Sequence, residues 1–183
     1  MRRLETERLL LDGWREADVE PLAAMNADAQ VMRHIGSGVR PYARALAEAR
    51  QFVAGPPTGP LGLWAIRERG GADFCGWAAL MPLDGGEEIE LGYRLPRHGW
   101  GRGIATEAAG RLLAHGFSDL GLERIVAVTS AENVASQRVL TKLGLQYRGL
   151  REVYGVKGVW YYDIRAAAWR RLFAGGLATQ SPQ

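Results

Sequence analysis

Five residues, Gly99-Trp100-Gly101-Arg102-Gly103, carry the first chemical signal in the chain. They stand between an apolar run that ends near Leu95 and a long apolar stripe that begins at Ile104. Glycine lets the backbone adopt left-handed angles and lets a ligand approach with no Cβ in the way. The first N–H groups of a following helix have no internal acceptor and point outward with the positive end of the helix dipole. Such a junction holds an anion, and phosphate is the usual guest. Arg102 adds charge. The alternative is a tight turn that needs glycine for its own geometry. Two known phosphate loops do not match. A P-loop requires Gly-Lys-Ser/Thr where Gly103-Ile104-Ala105 stands. The dinucleotide fingerprint requires a third glycine where Thr106 stands, and a parallel sheet around it.

The loop needs a strand before it and a helix behind it, and the pattern supplies both. Ile104, Ala105, Ala108, Ala109, Leu112, Leu113, Phe117 and Leu120 form one stripe at helical spacing. They predict a helix from Ile104 to Leu120, with Glu107, Arg111 and His115 on its other side. Upstream, Leu4 to Leu11 predicts a strand and Trp14 to Asn26 a helical stretch. Asp28 can cap a short helix, and Ala43 to Val53 forms a third behind Pro41. Leu63–Ile66, Phe74–Leu80 and Ile89–Leu95 are short apolar runs separated by Gly70-Gly71 and by Pro82 with Asp84-Gly85-Gly86, a meander of antiparallel strands.

Downstream, Ile125 to Val128 reads as a strand buried on both faces. Asn133 caps a helix ending near Leu143, with Gly144 as its left-handed stop. Tyr147–Tyr154 and Val159–Ala166 form a last hairpin. This order predicts an α/β domain of the α+β type, with a mixed, mostly antiparallel sheet of six or seven strands. At least one strand–helix–strand unit runs parallel. Residues 1–172 are expected to form the one domain and residues 173–183, small and polar, a flexible tail.

Composition narrows the class. A chain of 183 residues, 47% hydrophobic, with a net charge of +3, fits one folded domain and excludes a disordered or fibrous one. The charged opening leads into only Leu9-Leu10-Leu11, and no apolar run approaches the ~20 residues of a membrane span. With Cys75 as the lone cysteine, the expectation is a cytoplasmic chain with no disulfide and no membrane partner. All but two of the 23 basic residues are arginine, but 20 acidic residues are interleaved with them. No basic stripe forms, so no nucleic-acid partner is expected. His34, His98 and His115 lack ligand spacing, and no metal is expected. Trp64, Trp77, Trp169 and Cys75 read as core. Glycine, at 24 residues, is about twice its usual share of ~7%, mostly as turn punctuation.

Three segments in register resemble a family. Ile89-Glu90-Leu91-Gly92-Tyr93-Arg94-Leu95-Pro96 followed by Trp100-Gly101-Arg102-Gly103-Ile104-Ala105-Thr106-Glu107-Ala108 resembles the acetyl-CoA motif of the GNAT N-acetyltransferases. Glu5-Thr6-Glu7-Arg8-Leu9-Leu10-Leu11 and Asn133 to Leu145 resemble the RimJ/RimL branch, which acetylates ribosomal-protein N-termini. The resemblance spans roughly residues 4–170. It implies a GNAT fold, acetyl-CoA as cosubstrate, and an amine acceptor attacked directly, with no acyl-enzyme. It further implies that Gly101, Arg102, Gly103, Ile104, Ala105 and Thr106 cradle the CoA pyrophosphate. Tyr93, Arg94 and Leu95 would pair with the pantetheine arm through their main chain, and Asn133 and Ser136 would contact CoA. Trp100 stands where the general motif has Gln or Arg, which leaves the N–H cradle intact.

Direct attack needs a base for the amine and a proton for the departing thiolate. Glu90, on the strand leading into the loop, is the candidate base. Burial there would raise its pKa toward neutrality, and the alternative is a solvated acidic strand edge. Leu140 stands where many relatives carry a tyrosine acid; the branch resemblance points to Ser136 instead. That serine could equally be bonded to its own helix. The expected acceptor is a protein N-terminal α-amine, with a small-molecule amine as the alternative and a non-catalytic acyl-CoA-binding module as the rival class. The loops around Met32–Tyr42 and the final hairpin are not strongly acidic, which disfavours a polycationic acceptor. A monomer or homodimer is expected.

Overall fold

The computed structural model describes residues 2–56 and 61–173. The opening apolar run is not one strand. Thr6 bonds to Leu9 through its main-chain N–H (3.0 Å) and accepts the Leu9 N–H on its hydroxyl (2.8 Å), turning the chain back on itself. The result is a small hairpin of β1 (Leu4–Glu5) and β2 (Leu9–Asp12). β3 (Gly62–Glu68), β4 (Phe74–Pro82) and β5 (Ile89–Arg94) continue the antiparallel meander. β6 (Arg124–Thr129) runs parallel to β5, and β7 (Gln146–Val153) and β8 (Val156–Arg165) close the sheet. The order is β1-β2-β3-β4-β5-β6-β8-β7. The eighth strand, beyond the six or seven expected, comes from the split at Thr6.

Helices cover the two faces unequally. α1 (Val19–Ala27), α2 (Ala29–Met32) and α3 (Tyr42–Ala54) pack on one face over Ala65, Phe74 and Trp77. Asp28 caps α2 by accepting the Gln30 N–H. α4 (Ile104–Ala114), α5 (Val134–Lys142) and α6 (Ala166–Phe173) pack on the other face and form the larger core with Trp64, Leu80, Leu91 and Ile125. On the α1–α3 face of β5–β8, Leu83, Val126, Val153 and Tyr161 make a third, small cluster.

Three expectations change. The helix from Ile104 stops at Ala114, and His115–Asp119 form a wider π-type turn. Gly116 lets that turn sit on the sheet, because a Cβ there would lie 2.6 Å from Ile125 Cδ1. His115 does not face solvent. Its ring is buried edge-on to Trp64, with Nδ1 2.8 Å from Asp119. α6 was not anticipated, although Ala166, Trp169 and Phe173 have helical spacing. The expected tail, apart from Phe173, lies outside the described residues. Trp64, Trp169 and Cys75 are buried as expected, whereas Trp77 is only partly so. No helix among the described residues is long and apolar enough to cross a membrane.

Candidate active site

β5 is paired with β4 along its whole length, from Pro82↔Ile89 to Trp77↔Arg94. Toward β6 it is paired at one position only, Glu90↔Val126. Beyond that point the parallel strands part. A cavity of about 370 Å³ is lined by the end of β5, the glycine loop, the first turn of α4, residues of α5 and the α2 segment.

The loop adopts the geometry its glycines permit. Gly101 and Gly103 have φ of +71° and +79°, and Gly103 is the N-cap of α4. The helix's first main-chain bond runs from the Glu107 N–H to the Gly103 carbonyl at 3.0 Å. None of the N–H groups from Gly101 to Thr106 has an acceptor among the described residues. Six consecutive free donors at the positive end of a helix form an anion cradle.

The cradle is braced from behind. Arg8 donates to the Arg102 carbonyl at 3.1 Å and grips the Glu107 carboxylate with Nε (2.7 Å) and Nη2 (2.6 Å). The Thr6 hydroxyl donates to the same carboxylate at 2.5 Å. Burial pushes the Glu107 carboxyl up, but the bonds from Thr6 and Arg8 outweigh it and hold it below the usual range. The Arg102 guanidinium is turned to Glu68 and does not line the cavity. Trp100 Nε1 donates to the Leu95 carbonyl at 3.0 Å, folding the loop onto the strand end.

Tyr93, Ser136 and Asn133 come together across the cavity. Asn133 Oδ1 accepts the Ser136 N–H at 3.1 Å and so caps α5. Ser136 Oγ lies 2.9 Å from the Tyr93 hydroxyl. Burial drives the Tyr93 phenol up to about 12, against the opposing bond to Ser136. Arg94, Leu95, Gly101, Gly103, Ile104, Ala105 and Thr106 also border the cavity.

Glu90 does not. It is partly buried on the opposite face of β5 and accepts the Tyr154 hydroxyl at 2.5 Å. Burial raises its pKa; the Tyr154 bond opposes this and the Asp84 charge adds to it. The loop after α2 meets the β7–β8 hairpin nearby, since a Cβ on Gly36 would fall 2.9 Å from Val156 Cγ2. Sequence reasoning missed the Tyr93 hydroxyl and the Arg8–Glu107 brace. Tyr93, Arg8 and Glu107 each stand in a segment that carried the resemblance, but nothing local marked the hydroxyl or the brace.

No group of three or more His, Cys, Asp or Glu among the described residues could hold a metal ion. The residues present do fit a CoA-type ligand: free N–H groups suit a pyrophosphate, and the unpaired β5 edge suits an amide-bearing arm.

Comparison with known proteins agrees. Residues 8–146 match the family described as acetyltransferase (GNAT) domain. YoaA of Bacillus subtilis (strain 168), an uncharacterized N-acetyltransferase, is 30% identical over 162 residues, 87% of this chain and 92% of YoaA. The Aspergillus fumigatus FsC-acetyl coenzyme A-N(2)-transacetylase is 28% identical over 155 residues, 79% of this chain and 65% of the relative. The structure of Mycobacterium smegmatis RimJ in complex with CoA-disulfide superposes with a TM-score of 0.65 at 22% identity, covering 96% of this chain and 93% of that one, a likeness of fold. With the glycine loop, the parted strands and the family match in agreement, the chain belongs to the GNAT acetyltransferase family and is an N-acetyltransferase.

Proposed function

We propose that the chain moves the acetyl group of acetyl-CoA to a primary amine by direct attack in a ternary complex. The observation that carries this is the placement of six free N–H groups beside an unpaired strand edge. In this reading Gly101–Thr106 receive the pyrophosphate through their main chain. Arg102 contributes its N–H, because its guanidinium is held by Glu68. Tyr93, Arg94 and Leu95 hold the pantetheine arm through the main chain of β5, and Asn133 and Ser136 flank it. When bound, acetyl-CoA supplies an activated thioester. The Ser136 hydroxyl gives a proton to the departing sulfur, with the Tyr93 hydroxyl behind it. Tyr93, at about 12, stays protonated at working pH and so serves as a donor. Glu90 takes the amine proton through water, since it stands outside the cavity lining.

The first acceptor class is a protein N-terminal α-amine, supported by the resemblance of Glu5–Leu11 and Asn133–Leu145 to the RimJ/RimL branch. A small-molecule amine is the second reading, favoured by the N(2)-transacetylase relative and by the range of acceptors one fold can serve. CoA-thiol release from acetyl-CoA, measured across peptides and small amines, tests both. Acetyl-CoA binding without release across the panel would favour a non-catalytic acyl-CoA-binding module. Absence of binding by calorimetry would overturn all of these readings.

A further inference from the structure

Arg67 and Arg94 both take a guanidinium out of solvent, the first fully and the second partly, and they differ in their partners. Arg67 is fully buried against the carboxylate of Asp18. Arg94 has no carboxylate partner among the described residues. Its one hydrogen bond runs from Nη1 to the neutral Asn26 Oδ1 at 2.8 Å. Its Nε, like that of Arg67, is buried with no acceptor among the described residues, and its guanidinium lies 5.2 Å from the centre of the Trp77 ring. Burial first, and then the like charge of Arg40, lower its pKa to about 10. Holding a guanidinium partly out of water without a counter-charge is costly, and an anion from outside the chain would complete it.

The cavity supports this. Arg33, Arg94, Arg138 and Lys142 line it, and no Asp or Glu among the described residues does. Arg138 and Lys142 lie on α5, the side on which Tyr93 meets Ser136. Arg94, the next residue along the strand, projects to the other face, over Trp77 and toward α1. A phosphate seated at the N-terminus of α4 is therefore not the group Arg94 faces. The planar guanidinium fork matches a carboxylate. Arg94 shares its face of β5 with Glu90, the residue proposed to take the amine proton, so an anion held there lies on the acceptor's side of the strand.

We infer that the Arg94 side chain is a specificity determinant that binds a carboxylate carried by the acceptor near its reactive amine. The carboxylate of a free amino acid and an acidic side chain near a peptide N-terminus offer the same chemistry. The inference rests on the acetyl-transfer reading, and product binding tests it without turnover. Calorimetry of the CoA-saturated protein would compare N-acetylglycine with N-acetylglycinamide. It would also compare an N-acetylated Ser-Asp-Ala amide with its Ser-Asn-Ala counterpart. The anionic member of at least one pair is expected to bind about tenfold tighter or more, and that pair identifies the source. Arg94→Gln and Arg94→Met should erase the preference for the anionic member of that pair. Arg94→Lys should keep part of it. Equal binding within both pairs, or a preference that survives in folded Arg94→Gln and Arg94→Met, would overturn the inference. A parallel fall in CoA affinity would reassign Arg94 to the cosubstrate and overturn it as well. Failure of the parent protein to bind CoA overturns the acetyl-transfer reading, and this inference with it.

Discussion

Glu90 burdens the fold at neutral pH, and the sign of that burden is testable. Burial is the first cause of its raised pKa, with the Tyr154 bond opposing and Asp84 adding. A carboxyl whose pKa rises on folding adds stability below its unfolded pKa. That contribution is lost as pH rises through the folded value. Glu90→Gln keeps an acceptor for Tyr154 and removes the buried charge. It is expected to melt no lower than the parent at neutral pH, while kcat falls about 100-fold and the acid limb of its pH profile flattens. A parent-like pH profile would remove Glu90 from the role of base. Across the cavity, Ser136→Ala should lower kcat tenfold or more, at roughly the low end of acid–base effects, with the acetyl-CoA KM little changed. Tyr93→Phe should act in the same direction. Parent-like turnover by Ser136→Ala would leave its hydroxyl as a packing group only. Ser136 was singled out through the resemblance, but its partner was not. The tyrosine hydroxyl reaches it across 43 residues of sequence, and no local pattern marks such a pair.

The glycine loop is the element whose chemistry was most legible beforehand. Left-handed angles at Gly101 and Gly103 and free N–H groups at a helix start are local properties, and local properties leave local signatures. A larger side chain at Gly103 has two effects. It forces a left-handed angle that costs ~1–2 kcal/mol in any non-glycine residue, and its Cβ lies 3.2 Å from Arg8 Nη2. Gly121, also at positive φ and beyond the far end of α4, has nothing within 4 Å of a built Cβ. Gly121→Val therefore controls for backbone strain. Both variants should lose thermal stability, but only Gly103→Val should raise the acetyl-CoA KM. An unchanged KM in a folded Gly103→Val protein would mean that the pyrophosphate sits elsewhere. The brace behind the loop was less legible, because Thr6, Arg8 and Glu107 meet only once the β1–β2 turn is laid against α4.

At the scale of the whole molecule, one buried ion pair ties the helices of one face to the sheet. Asp18 accepts the Arg15 N–H at 2.8 Å and pairs with Arg67 of β3, and both side chains are enclosed. Removing one partner leaves a buried charge alone, which costs roughly 3–5 kcal/mol. Asp18→Asn is expected to lower the unfolding free energy by about that amount in urea. The acetyl-CoA KM of the folded fraction should stay near that of the parent. A loss below about 1 kcal/mol would show that the pair is not the clamp described.

Hydrophobic period and turn residues determined the order of elements, the mixed and largely antiparallel sheet, and the position of the anion loop. Each of these follows from interactions within a few residues. The tertiary structure alone decided where β5 and β6 part and that Tyr93 faces Ser136. It also decided that Glu90 and Arg94 lie on the opposite face, and that Arg67 finds a carboxylate while Arg94 does not. Those outcomes depend on which distant side chains share one small volume. Two arginines, on β3 and β5, look alike in the sequence until packing brings Asp18 to Arg67 and only Asn26 to Arg94.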